Sequence, residues 1–216
     1  MISHNSANDK QYILIELNLN ENHINKYFKS FLTKPSNSIL DKKYSMKKIK
    51  DLSDFFVNQL EELRFSEIQF IKELPYLIKQ TTNPELYKIL KEYNKNLKNR
   101  LLEIAKIFDE IEITPQEINN EIIELYIKNF NKEFQKSDNK IIHDISIIQL
   151  IQNLNHIRIS KYGALNAFSK TLKQDKMKSF FQHIITDEKN IDNKLKELGI
   201  NTINEKAKPK PEESLI

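Results

Sequence analysis

Five stretches of the chain repeat apolar residues at intervals of three and four, the spacing that lines up one face of an α-helix. They predict helices over 48–82, 84–111, 115–136, 139–172 and 174–198. Punctuation supports these limits. Asn83-Pro84 offers an N-cap and a first-turn proline, and Thr114-Pro115-Gln116-Glu117 has capping-box spacing with proline at the first helical position. Gly199 is placed to be the residue that ends the last helix. Pro75 falls inside the first helix, where the missing N–H is expected to kink it.

Short joins at 83 and 173 make the first and second helices one hairpin and the last two another. The longer segment between the hairpins carries its own short helix and can cross over. The expectation is an all-α, ferritin-like four-helix bundle with one long crossover between the second and third bundle helices. It occupies 48–199, with an N-terminal extension over 1–47 and a mobile, Pro-rich charged tail over 200–216. Within the extension, QYILIELNL reads as a short strand or docked segment and TKPSNS as a loop.

Polar residues interrupt the apolar stripes. The first helix runs Phe56, Leu60, Leu63, Glu67, Phe70, Leu74, and the last runs Met177, Phe181, Ile184, Glu188, Ile191, Leu195, Leu198. The third bundle helix runs Ile148, Ile151, Asn155, Arg158, Tyr162, Leu165, with two successive polar positions. On the second, Leu86, Ile89, Tyr93, Asn96 and Arg100 form one edge of the inner face. Side-by-side packing would bring these groups together near mid-length. Convergent buried carboxylates need cations, either metal ions or arginine, because stripping one partner from a buried pair costs about 3–5 kcal/mol.

Composition narrows the chemistry. There is no cysteine among the 216 residues, so disulfides and thiolate sites are excluded and any metal would need O or N ligands. The 34 basic and 30 acidic residues are interspersed, as on solvated helix faces, so nucleic acid is not an expected partner. The basic run DKKYSMKKIK reads as a solvated face for the same reason. No apolar run reaches the ~18 residues of a membrane span, and the cytoplasm is the expected location. Only two glycines occur. Gly163, inside a predicted helix, is expected to mark a close approach of a neighbouring helix.

Three motifs in order resemble the YciE/YciF family, DUF892, a ferritin-like group. LEELRFSEIQFIKELPYLIKQTTNPEL, 60–86, is similar to the family's L-x-D-L-Y-x-A-E-x-Q-L opening with its later L-P and P-E-L. NHIRISKYGAL, 155–165, is similar to E-H-x-E-I-A-x-Y-G-x-L, and TDEKNIDNKLKELG, 186–199, to E-E-K-x-x-D-x-x-L. The resemblance covers 49–199. It implies a bundle with a central site for two metal ions, a homodimer and an association with bacterial stress responses.

Carried over residue by residue, Glu67 and Glu188 match acidic motif positions, and His156 and Asp192 also fit. Asn155 and Arg158 stand where the family has the two glutamates of E-H-x-E, and Tyr93 and Asn96 where it has H-x-x-E. Ligand charge is lost and a fixed positive charge gained. The expectation is a vestigial centre of Glu67, Tyr93, Asn96, Arg100, Asn155, His156, Arg158, Glu188 and Asp192, with no cofactor and no catalytic residue. Arg158, helped by Arg100, replaces the metal by pairing with Glu67 and Glu188. The function expected is a non-catalytic, stress-associated structural or interaction protein. The alternative is an iron- or manganese-binding protein of oxidative-stress defence that uses Glu67, Glu188, Asp192 and His156. A DNA-associated protector is a third class, separable by salt-dependent binding.

Overall fold

The computed structural model describes residues 48–116 and 121–209. QYILIELNL, TKPSNS, most of the basic run, Glu117 of the capping box and the last seven residues lie outside that range. The unit from Ile49 onward is the one described below. Its helices are α1 (Leu52–Gln80), α2 (Pro84–Glu110), α3 (Glu121–Phe134), α4 (Lys140–Thr171) and α5 (Asp175–Leu198). A π-helical turn (Gly199–Ile203) and a last short turn, α6 (Asn204–Lys206), follow.

Helix α1 packs against α2 and α4, and α5 packs against α4 and α2, which closes a ring of four. Helix α3 lies in the crossover and rests mainly on α4. Among the described residues no helix is long and apolar enough to cross a membrane. At one end of the bundle Phe56, Leu60 and Leu63 of α1 meet Ile104 and Phe108 of α2, Leu165 of α4 and Phe181 of α5. Beyond the mid-level the core resumes with Phe70, Leu74, Leu90, Ile151 and Leu195, all buried.

The caps account for most helix limits. Asp51 accepts the Asp54 N–H to start α1, Asn83 accepts from Glu85 and Leu86 to start α2, and Asn139 accepts from Ile141 to start α4. Helix α1 continues through Pro75 to Gln80. The α1–α2 turn is tied down by a side chain of α4: Asp144, 2% exposed, accepts from the Thr82 N–H and hydroxyl and the Asn83 N–H at 2.9, 2.6 and 2.9 Å.

Three expectations change. Thr114-Pro115-Gln116 is not helical, because the Gln116 N–H donates to Glu61 Oε1 of α1 at 2.9 Å and holds this stretch against the bundle. Gly199 has φ −58° and ψ −55°, so it passes the helix on instead of ending it. Burial of Ile203, 1% exposed, is the physical return for that continuation, and the chain from 200 to 206 is helical where a tail was expected. Gly163 marks no close approach: a Cβ placed there would meet nothing within 4 Å.

Glycine is absent from the positions that favour it. Helices α2 and α4 both end in Schellman turns, with Ile113 N–H to Phe108 O and Gln174 N–H to Ser169 O at 3.1 and 2.8 Å. The left-handed residues there are Glu112 (φ 55°) and Lys173 (φ 58°). These ends carry no glycine signal in the sequence.

Candidate functional site

Each of the four ring helices delivers polar side chains to one buried level. Glu67 comes from α1, Tyr93 and Arg100 from α2, Asn155, Arg158 and Tyr162 from α4, and Glu188 from α5. Glu67, Tyr93, Asn155, Arg158, Tyr162 and Glu188 are 0% exposed and Arg100 is 5% exposed. They arrive there because they occupy stripe positions: Glu67 sits between Leu63 and Phe70, and Glu188 between Ile184 and Ile191, all buried.

Arg158 is the hub. Its Nε and Nη2 donate to Glu67 Oε1 and Oε2 at 2.8 and 2.9 Å, a two-pronged grip that only a guanidinium provides. Its Nη1 and Nη2 also reach Glu188 Oε2 and Oε1, both at 3.3 Å, and Nη1 donates to the Tyr93 hydroxyl. Arg100 Nη1 donates to Glu188 Oε1. Tyr93 donates to Glu188 Oε2 and Tyr162 to Glu67 Oε1, each at 2.6 Å. The Phe70 and Tyr93 rings lie 5.2 and 5.8 Å from the Arg158 guanidinium carbon, close enough for cation–π attraction. Two guanidinium groups thus face two carboxylates, and the cluster is formally neutral.

Electrostatics fix the protonation states. Burial opposes ionisation of Glu188, but Arg158 and Arg100, with the Tyr93 hydroxyl, outweigh it and hold the carboxyl below its usual range. Burial raises the Tyr93 phenol, which Arg158 opposes and Glu188 reinforces. Tyr162 is raised by burial and then by Glu67. For Arg158, burial favours loss of the proton, yet Glu188 and Glu67 more than offset it, and its pKa moves further above the ordinary guanidinium value. Both tyrosines therefore stay protonated donors, Tyr93 beside the ionised Glu188.

The remaining predicted residues separate from this centre. Asn155 is at the right level, but its Nδ2 donates to the backbone carbonyl of Glu188 at 2.8 Å. His156 has a side chain 67% exposed and faces Asp192 at 3.2 Å on the surface between α4 and α5, where Gln152 also donates to Asp192. Asn96 is exposed and does not belong to the centre. Tyr93 and Arg100 share a face to within roughly 20° at 3.6 residues per turn, whereas Asn96 is rotated about 60° from Tyr93 toward solvent. Leu97 takes the inner place. Of the histidines without an assigned role, His143 stacks on Phe134 with ring centroids 3.9 Å apart, and His183 faces Asp187 at an exposed site.

Asp144 is absent from the expected set. It extends the α4 stripe one turn before Ile147 and Ile148, so an interrupted stripe could have flagged it. Its partners are the Thr82 N–H and hydroxyl and the Asn83 N–H, about which the α4 sequence says nothing.

The residues present do not fit a divalent cation. The oxygens of the two central carboxylates are engaged by guanidinium N–H and phenol O–H donors, and a fixed cation occupies the space between them. Among the described residues no group of three or more His, Asp or Glu side chains is placed to hold a metal. With the bases paired and the phenols protonated, the cluster acts chemically as a crosslink of four helices.

Four packed helices, with a fifth in the crossover, make the described part of the chain an all-α helical bundle. A model of the family described as a domain of unknown function, DUF892, matches residues 51–208, and the chain belongs to that family. Protein YciF of Escherichia coli (strain K12) is 23% identical over 163 residues, covering 75% of this chain and 98% of YciF. The crystal structure of the E. coli stress protein YciF superposes with a TM-score of 0.67 at 22% identity, over 72% of this chain and 99% of that one. YcfI of Rhodopseudomonas palustris, described as a proposed structural protein, gives a TM-score of 0.66 at 24% identity, over 70% and 96%.

Proposed function

We propose that this is a non-catalytic, cytoplasmic, stress-associated protein with a structural or interaction role, in which an arginine–carboxylate network stands where the family's metal centre is expected. The carrying observation is the two-pronged Arg158–Glu67 contact at zero exposure, shared with Glu188 and reinforced by Arg100. The description of YciF as a stress protein supports the cellular setting, and that of YcfI supports a structural role.

Metal binding by Glu67, Glu188, Asp192 and His156 would require Arg158 to leave a site that holds it with two carboxylates. It would also require the exposed His156 to turn inward. Metal analysis of protein purified from cells grown with excess iron or manganese tests the proposal. Substoichiometric, weakly held metal is the expected result, and about one or more tightly bound ions per chain overturns it. The triple variant Asn96→Glu, Asn155→Glu, Arg158→Glu is the control for gain of metal; because Asn96 faces solvent, Asn155→Glu with Arg158→Glu is expected to carry any gain.

A further inference from the structure

Helices α1 and α3 leave a cleft of about 590 Å³ between them, a size usual for small-ligand sites. Phe65 of α1 and Ile127 of α3, both half-buried, give it an apolar strip. Polar groups surround that strip. At 3.6 residues per turn Glu124, Lys128, Asn131 and Gln135 fall on the flank of α3 that faces α1, while Ile122 and Tyr126 fall on the other.

Three lysines, Lys72, Lys128 and Lys132, and two carboxylates, Glu73 and Glu124, line the cleft, so cations exceed anions by one. Lys128 and Lys132 are exposed, and neither is ion-paired among the described residues. They stand about one helical turn apart, where like charges repel each other, and an anion bridging both ammonium groups removes that repulsion. Glu124 is already in use, since it accepts from Gln69 Nε2 at 3.1 Å. A carboxylate only accepts, so this bond fixes which way the Gln69 amide points. Its Oε1 is closed to bulk solvent and has no donor among the described residues, which leaves an unmet acceptor on a residue of the cleft wall.

We infer that the α1–α3 cleft is a binding site for a small organic carboxylate with a flat apolar body and a hydroxyl or amino donor. The carboxylate bridges Lys128 and Lys132, the ring lies on Phe65 and Ile127, and the donor serves Gln69 Oε1. The site shares no residue with the arginine–carboxylate level, so it stands whether or not that level takes metal.

Titration of the isotope-labelled full chain with para-hydroxybenzoate tests it, read by NMR from the α1 and α3 backbone amides and the Gln69 and Asn131 side-chain amides. Saturable shifts at about millimolar ligand are expected, the affinity usual for a ligand of about ten heavy atoms. Lys128→Ala with Lys132→Ala should weaken binding roughly fivefold or more, and Lys128→Arg with Lys132→Arg should keep it. The uncharged para-hydroxybenzamide should bind more weakly by a similar factor. Gln69→Leu should weaken para-hydroxybenzoate but not benzoate, which has no donor. Circular dichroism checks that each variant keeps its helix content. No saturable shift up to about 10 mM ligand overturns the inference. So do shifts confined to other helices, an affinity indifferent to the alanine pair, or equal binding of the uncharged amide. A Gln69→Leu effect that is the same for both carboxylates overturns the donor assignment.

Discussion

Arg158 grips Glu67 through two parallel hydrogen bonds of 2.8 and 2.9 Å, with neither side chain exposed to solvent. The contact ties α4 to α1, and through Glu188 the same guanidinium reaches α5. Removing it leaves Glu67 without its guanidinium partner and Glu188 with Arg100 alone. Arg158→Ala is expected to destabilise the fold by about 3–5 kcal/mol in urea unfolding, whereas Arg158→Met combined with Glu67→Leu should cost less than the sum of the single changes. The coupling expected from that double-mutant cycle is roughly 0.5–3 kcal/mol. Additive effects would mean that the pair does not interact.

The cluster makes stability depend on pH at both extremes. Glu188 titrates lower in the folded chain than in the unfolded one, so the unfolded state takes up its proton first as pH falls. Its contribution is present at neutral pH and is lost as pH drops below the ordinary carboxylate range. Tyr93 and Tyr162 titrate above the usual phenol value when folded, so the unfolded chain ionises first above about pH 10. Stability should then fall by up to about 1.4 kcal/mol per pH unit for each tyrosine. Tyr93→Phe and Tyr162→Phe, although less stable at neutral pH, should flatten the alkaline limb, as read from unfolding midpoints over a pH series.

The backbone offers an independent check. Gly163 is helical with open space where a Cβ would go, and Lys173 holds a left-handed conformation that costs an L-residue about 1 kcal/mol. Gly163→Ala and Lys173→Gly should each stabilise the protein by roughly 0.5–1 kcal/mol. A loss of stability in Gly163→Ala would mean that the site is occupied by something pressing on the helix.

Asp144 should matter far beyond its own helix. Asp144→Ala leaves the Thr82 and Asn83 N–H groups without their acceptor, at an expected cost of about 1–3 kcal/mol. Amide hydrogen exchange should show faster exchange at the α1–α2 turn, 61 and 62 residues away in sequence. Unchanged exchange there would remove Asp144 from this role.

The helices and most of the polar level were legible because one periodicity carries both. A residue that interrupts a stripe sits at the same angle as its apolar neighbours, which places Glu67, Tyr93, Arg100, Arg158 and Glu188 inward. The stripe has an angular width, and Asn96 falls at its edge. Periodicity is also blind to contacts between a side chain and a distant backbone, so the Glu61–Gln116 and Asp144–Thr82 anchors stayed hidden. The end of α5 is not legible because a glycine after the last stripe position normally marks a helix end, while burial of Ile203 keeps the chain helical through Gly199.

The most direct test is a crystal structure of protein soaked in iron or manganese, with anomalous scattering collected at each metal edge. A planar guanidinium between Glu67 and Glu188, with no anomalous peak there, is the expected result. A peak between those carboxylates, with Arg158 swung away, would contradict it.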